Sequence, residues 1–216
     1  STDFTLASGQ TQALALGFNR ALLSEKIEQF AVAEHLGAGN CRPSGLLRGR
    51  GGTEHHAAMI KPVGTAFVLL DDRPVRLASD DLGSSTTVAA IGLVDPDPVV
   101  SPVSGNGNTM QPLTPVHPRA VLQADGSTIL SWTRRARGAW TWNSTVEPPL
   151  VEQTERYEVG VGNPDQPVLA WEVLSPQLIL SAPMVSQIQG SHSGLPLWVR
   201  QIGSHSRSYP LLLLTI

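Results

Sequence analysis

The sequence predicts an all-β chain in two parts, a β-rich domain over residues 1–111 and a β-sandwich over residues 112–216. Three observations lead there. Twenty glycines and 17 prolines punctuate 216 residues, about 17% against about 12% in ordinary usage, which leaves little room for long helices. Charged residues are only 15% of the chain, below the roughly 25% of an average soluble domain. Apolar residues come in short runs that alternate with polar ones and end at turn residues, the pattern of half-buried strands.

The elements follow in order. Between Gln12 and Gly49 the apolar bursts are "ALALGF", "RALLSEKIEQFAVAEHLG" and "LLRG". Residues 20–36 fit a helix through Leu22, Leu23, Ile27, Phe30 and Ala31. They also fit two strands, "RALL" and "IEQFAVAEHL", joined at "SEK", and the β-like punctuation on both sides favours the strands. "GTAFVLLDDRPVRLA" reads as a hairpin turning at "DDRP", and "TTVAAIGLV" as one more strand. Asp95 to Pro118 concentrates Pro, Gly, Asn and Ser and reads as the connection, with the boundary near residue 112. Beyond it "RAVLQ", the turn "ADGS", "TILSWTRR", "ERYEVGVG", "VLAWEVL", "QLILS", "LPLWVRQIG" and "YPLLLLTI" give seven strands at sandwich spacing. Tyr157, Val159 and Val161 share one face of their strand, as do Leu195, Leu197 and Val199 of theirs.

Charge and cysteine content exclude several functions. A net charge of -3 supplies no global field for nucleic acid or an acidic membrane, so no nucleic-acid partner is expected. Of the 15 basic residues only Lys26 and Lys61 are lysines, so the cations are almost all guanidinium forks suited to bidentate pairing and stacking. Cys41 is the single cysteine, which excludes an internal disulfide and a cysteine-based zinc cluster and fits a reducing folding compartment. "STDFTLASGQTQ" has neither a charged n-region nor an apolar h-region, and no apolar run approaches 18 residues. The expectation is a soluble chain without a secretory signal, Ser1 following either a removed methionine or a cut in a longer polypeptide.

The densest stretch, "LLRGRGGTEHH" (Leu46 to His56), poses the functional question. "GRGGTE" begins like GxGxxG but ends in Glu54, and no Walker-type glycine and lysine spacing exists. Glu54, His55 and His56 match neither HExxH nor a facial triad. The expectation is a structural turn: Gly49, Gly51 and Gly52 supply positive φ, and Arg48 or Arg50 pairs with Glu54 or a backbone carbonyl. "GSHSG" (Gly190 to Gly194) carries His192 where a nucleophile elbow needs serine. Glu147, Glu152, Glu155 and Glu158 offer paired carboxylates, but carboxylates in a proline-rich connection read as solvated. No catalytic residue, cofactor or metal is expected. The strongest contact candidate is "WTRRARGAWTWN", where Arg134, Arg135 and Arg137 interleave with Trp132, Trp140 and Trp142. Such mixtures anchor protein partners or sugars; the plainer reading puts Trp132 in the core and the arginines over tryptophan faces.

Several segments together carry a resemblance. "NRALLSEKIEQFAVAEHLGAGNCRPSG" followed by "LLRGRGGTE", then "PLTPVHPRA", "LSWTRRARGAWTW", "VEPPLVEQTERYEVGVG" and "LWVRQIG" resemble the C-terminal part of the large baseplate proteins of siphophage tails and gene transfer agents, from about residue 18 to about residue 205. The resemblance implies β-rich domains at the tail tip of a virion assembled in the bacterial cytoplasm. It implies a last domain like fibronectin type III, with Trp132 on its second strand and Tyr157 on its third. Trp198 stands where that fold usually has a sixth-strand tyrosine. The implied role is structural and not enzymatic. Three copies would link the tail hub and distal tail protein to fibres or face the host surface. The hub and glycosidase-like barrel domains of full-length relatives have no counterpart in 216 residues. Two rivals stand beside it: a carbohydrate-binding module that reads host glycan through Trp140 and Trp142, and a hydrolase using Glu54 or the Glu147 to Glu158 group.

Overall fold

A computed structural model describes residues 6–71, 86–103, 110–137 and 149–216. Among the described residues the chain is all-β apart from two helices and a 3-10 turn. The first helix, α1 (Thr11–Ala15), leads into β1 (Arg20–Leu23), β2 (Lys26–Gly37) and β3 (Asn40–Arg50). The strand reading of residues 20–36 is therefore the correct one. Ser24 takes a φ of 58° in the two-residue turn between β1 and β2. Ala38 and Gly39 both take positive φ between β2 and β3, the geometry that matches the twist of the paired strands. After a 3-10 turn at Glu54–His56 comes β4 (Phe67–Leu69), which closes an antiparallel sheet in the order β3-β2-β1-β4.

Ala21, Phe30 and Ala33 cluster with Leu6 in the core of that sheet. Beside them lie buried polar groups that satisfy one another. Gln29 is fully buried; its Nε2 donates to the carbonyls of Leu14 (2.9 Å) and Phe18 (2.7 Å), and its Oε1 accepts from Arg50 Nε at 2.8 Å. Lys26 is also buried, held by Glu28 at 2.6 Å and the Met59 carbonyl at 3.2 Å. A buried amide or ammonium is tolerated only when its hydrogen bonds are made, and these side chains fasten α1 and the segment around Met59 to the sheet.

The strand in "TTVAAIGLV" forms as β5 (Thr86–Ala90), ending before Ile91. Asp95 to Pro118 is not a plain connection: it contains β6 (Val99–Val103), paired with β5 in a separate ribbon. Val99, Val100 and Val103 have the β-branched stiffness that favours an extended chain, and Pro102 is tolerated because a two-stranded ribbon has only edge strands. The second arm of the hairpin expected at "DDRP" lies outside the described residues.

All seven expected strands of the sandwich are present. They are β7 (Val116–Leu122), β8 (Thr128–Thr133), β9 (Tyr157–Asn163), β10 (Gln166–Val173), β11 (Gln177–Leu180), β12 (Pro196–Gln201) and β13 (Leu211–Thr215). They form sheets ordered β11-β8-β7 and β10-β9-β12-β13, a fibronectin type III-like sandwich of three strands against four. Between the sheets lie Leu130, Trp132, Tyr157, Val159, Val161, Leu180, Leu197 and Val199. Trp132 meets Tyr157 edge to face, with ring centroids 5.2 Å apart at 71°, a favoured aromatic arrangement.

Trp198, on the sixth strand as expected, donates from Nε1 to the Gly162 carbonyl at 2.9 Å, so its polar edge is tied to neighbouring β9. The sequence reading missed α2 (Ala182–His192) between β11 and β12. Its cues were a proline in the first turn, where the lost N–H costs nothing, and Ile188, which packs into the core. "GSHSG" thus lies across the end of a helix, not in a strand-to-helix elbow.

Gly160 exists for Trp198. A Cβ there would lie 2.3 Å from the indole Cζ2, on a ring held from the other side by the bond to Gly162. Gly160→Ala is expected to destabilise the chain by about 1–3 kcal/mol, the usual range for overpacking, read as a lower urea midpoint with an unchanged slope.

Candidate functional site

The chemistry-bearing groups of the sequence meet where the N-terminal sheet approaches the sandwich. Residues 134–137 leave β8 as a short strap, and each of its arginines has an acidic partner from a different place. Arg134 Nε lies 3.4 Å from Glu155 Oε1. Arg135 pairs with Glu54 of the 3-10 turn and donates to the Thr114 carbonyl at 3.5 Å. Arg137 lies 2.8 Å from Glu152 Oε1, and the other oxygen of Glu152 accepts from the Ser204 N–H at 2.8 Å. The Arg134 and Glu152 side chains are only 8% and 3% exposed, so their two pairs lie inside, whereas Glu54 of the third is exposed.

The same logic extends along the sandwich. Tyr157 donates its hydroxyl to Glu155 at 2.6 Å. Its phenol is pushed far above the ordinary tyrosine range, first by burial and then by the bond to that carboxylate. Arg200 holds Glu158 at 2.7 Å and lies 5.1 Å from the Trp198 ring centroid. Burial lowers Arg135, with Arg50 nearby adding to the effect, and burial lowers Arg50; guanidinium stays charged through shifts of this kind.

These contacts bear on three expectations. Arg134, Arg135 and Arg137, the expected partner or glycan contacts, each lie against a carboxylate of this chain, as an enclosed guanidinium needs a counter-charge. Glu152, Glu155 and Glu158 are not solvated linker groups but those counter-charges. Glu54 is not the partner of Arg48 or Arg50 across its own turn; it reaches Arg135, while Arg48 lies 3.9 Å from Glu28 and Arg50 bonds Gln29. The turn itself forms as read, with Gly49, Gly51 and Gly52 at φ of 67°, 63° and 90°. Two of them are also tight: a Cβ on Gly49 would meet the Glu54 Cα at 2.8 Å, and one on Gly52 the Leu113 Cδ2 at 2.6 Å. Trp140, Trp142 and Glu147 lie outside the described residues.

The 3-10 turn makes a second contact with the sandwich. The His55 ring is tilted against two others, with centroids 4.2 Å from the Tyr209 ring and 4.0 Å from the His56 ring. His55 is held below the ordinary histidine value, chiefly by burial and then by His56, against a smaller upward pull from Glu25. Nearby, Gln111 donates to the Arg207 carbonyl at 3.0 Å. The cleft among Pro112, Leu113, Arg134, Arg137, Glu152 and Gln201 encloses about 10 Å³, room for a single water. No group of three or more His, Cys, Asp or Glu that could hold a metal occurs among the described residues.

The sequence signal for these pairs was the closeness of three arginines (134, 135, 137) to Glu152, Glu155 and Glu158. Nothing local in the sequence announces Glu54 to Arg135, which spans 81 residues.

The family model described as "Rcc01698-like, C-terminal" matches residues 2–68. That span takes in α1, β1 to β3, the Glu54–His56 turn and nearly all of β4. No curated protein matches the chain. Among solved structures, domains d3–d4 of the rat CD45 extracellular region align over 88% of this chain and 94% of that one, at 10% identity and a TM-score of 0.34. A likeness of that size supports no argument.

Two outcomes follow from the buried pairs. Glu152→Leu removes both the ion pair with Arg137 and the acceptor of the Ser204 N–H and is expected to cost about 1–3 kcal/mol, the usual range for losing the partner of a buried polar group; chemical denaturation measures it. Tyr157 is neutral in the fold and ionises more readily once unfolded. Its contribution is therefore complete below the ordinary tyrosine value near 10 and is lost as pH rises above it. Unfolding midpoints followed from pH 8 to 11.5 should fall at the alkaline end, and Tyr157→Phe should flatten that fall.

Proposed function

We propose that this chain is a non-enzymatic structural component of the baseplate or tail tip of a tailed phage or a phage-like particle such as a gene transfer agent. The observation that supports it most is the family-model match over residues 2–68. It falls on the stretch whose motifs, "NRALLSEKIEQFAVAEHLGAGNCRPSG" and "LLRGRGGTE", resemble the baseplate family. The local chemistry agrees with a structural role. The arginines and glutamates that are candidates for catalysis or recognition hold one another in place, and "LLRGRGGTEHH" builds a turn that touches both β parts.

In this reading the chain works by shape. A rigid sandwich and a pinned N-terminal sheet offer surface to the tail hub, the distal tail protein and fibres, in three copies if it follows a threefold hub. Large apolar side chains remain outside, among them Ile60 at 95%, Val63 at 106% and Leu93 at 108% exposure. Scattered apolar residues are normal on a surface; in this reading these side chains are the ones available to a neighbouring protein.

The test is made on particles. Mass spectrometry of gradient-purified particles should find the chain, and cryo-EM should place it about the threefold axis at the tail tip. A chain absent from purified particles, or present only in the cell lysate, would sink the proposal.

A further inference from the structure

We propose that the ribbon of β5 and β6 is a dimerisation arm: the open edge of β5 pairs antiparallel, across a twofold axis, with the β5 edge of a second copy of this chain. The inference does not depend on the baseplate reading and makes no use of a threefold axis.

The ribbon lacks the cover that a sheet ordinarily has. Among the described residues β5 and β6 pair only with each other, and every residue from 89 to 102 is exposed. The register sets Val88, Ala90, Val99 and Val103 on one face and Ala89 and Val100 on the other. A two-stranded ribbon is marginal in water, and a third strand or more with an apolar face is needed for independent stability. Joining two ribbons edge to edge gives four strands in the order β6-β5-β5-β6. An antiparallel twofold pair keeps the same face up on both copies, so the two aliphatic faces become one.

Pro102 selects the edge. It stands opposite Thr87 and has no N–H to give, so its nitrogen belongs on the outer side of β6, where a proline blocks strand addition. By the same alternation Thr87 and Ala89, opposite Pro102 and Val100, turn their N–H and C=O groups to the outer side of β5. That strand carries neither proline nor charge, so its edge is the one open to a partner.

Charge selects the direction. Asp95 and Asp97 are the only charged residues between 86 and 103, and both lie in the connection at one end of the ribbon. Asp95 is fixed there: its Oδ2 accepts from the Gly92 N–H at 2.9 Å, and its own N–H donates to the Gly92 carbonyl at 3.2 Å. Parallel arms would gather these carboxylates at one end, where like charges repel. Antiparallel arms send them to opposite ends. The same carboxylates disfavour an anionic bilayer as the cover for exposed Leu93 and Val94 beside them. Centred on Val88, the pairing sets Thr87 of one copy against Ala89 of the other, and the two Val88 Cα atoms come about 4.5 Å apart in a non-hydrogen-bonded pair.

Sedimentation velocity on the whole chain tests this. The mass is expected to rise from 23.0 kDa toward twice that value across the micromolar range. Ala89→Pro removes an N–H that crosses the interface and none that holds the ribbon, and should weaken the dimer about tenfold or more. Val100→Pro makes the matching change on the outer edge of β6 and should leave the dimer within about twofold. Val88→Cys, oxidised with diamide, should give a dimer joined through position 88, since the spacing is within disulfide reach; peptide mass mapping distinguishes it from a bond through Cys41. A chain that stays monomeric or forms trimers, a dimer that Ala89→Pro leaves intact, or a disulfide that does not join the two copies at position 88 overturns the proposal.

Discussion

Arg134, Arg135 and Arg137 leave β8 in one short strap, and each guanidinium meets a carboxylate carried by a different segment. That pairing constrains much of what surrounds it. Arg134 and Arg137 bind the glutamates that precede β9, fixing the entry to the strand that bears Tyr157, Val159 and Val161. Arg135 turns the opposite way and takes Glu54 from the N-terminal sheet. Residues 134–137 therefore set both the edge of the sandwich core and one contact of the junction. Such pairs add little net stability over a well-packed apolar core, since desolvation consumes much of the attraction, yet losing one partner is costly because the other is left buried and charged. The arrangement specifies position more than it supplies free energy.

The pairing also gives meaning to the composition. With 15% charged residues, the chain has few charges to place, and several of them lie inside. Lys26 with Glu28, Gln29 with Arg50, Arg200 with Glu158 and Tyr157 with Glu155 are all partly or wholly enclosed.

Most of the sandwich was legible in the sequence, because its signal is local. A period-two alternation such as Tyr157, Val159, Val161 is read within one strand, and turn residues such as "ADGS" mark where strands end. The N-terminal hairpins were legible for the same reason, although a short apolar run there also satisfied a helical period. Two elements escaped. α2 is short and weakly amphipathic, with Ile188 as its one buried residue, so its periodicity did not stand out between strands. β6 was hidden by prolines and by the loop composition around it.

The candidate site was legible as a list of residues and illegible as an arrangement. Nothing in "WTRRARGAWTWN" tells whether its arginines point out to a partner or in to a carboxylate; that depends on where Glu152, Glu155 and Glu54 arrive, and Glu54 arrives from 81 residues away. A guanidinium near tryptophans looks the same in sequence whether it recognises a ligand or closes a domain edge. Burial separates the two, because an arginine enclosed to the extent of Arg134 must have its counter-charge within the fold before any partner arrives. The same reasoning moves "LLRGRGGTEHH" from a possible binding loop to a joint. Its glycines shape the turn, and its glutamate and first histidine reach the sandwich at Arg135 and Tyr209.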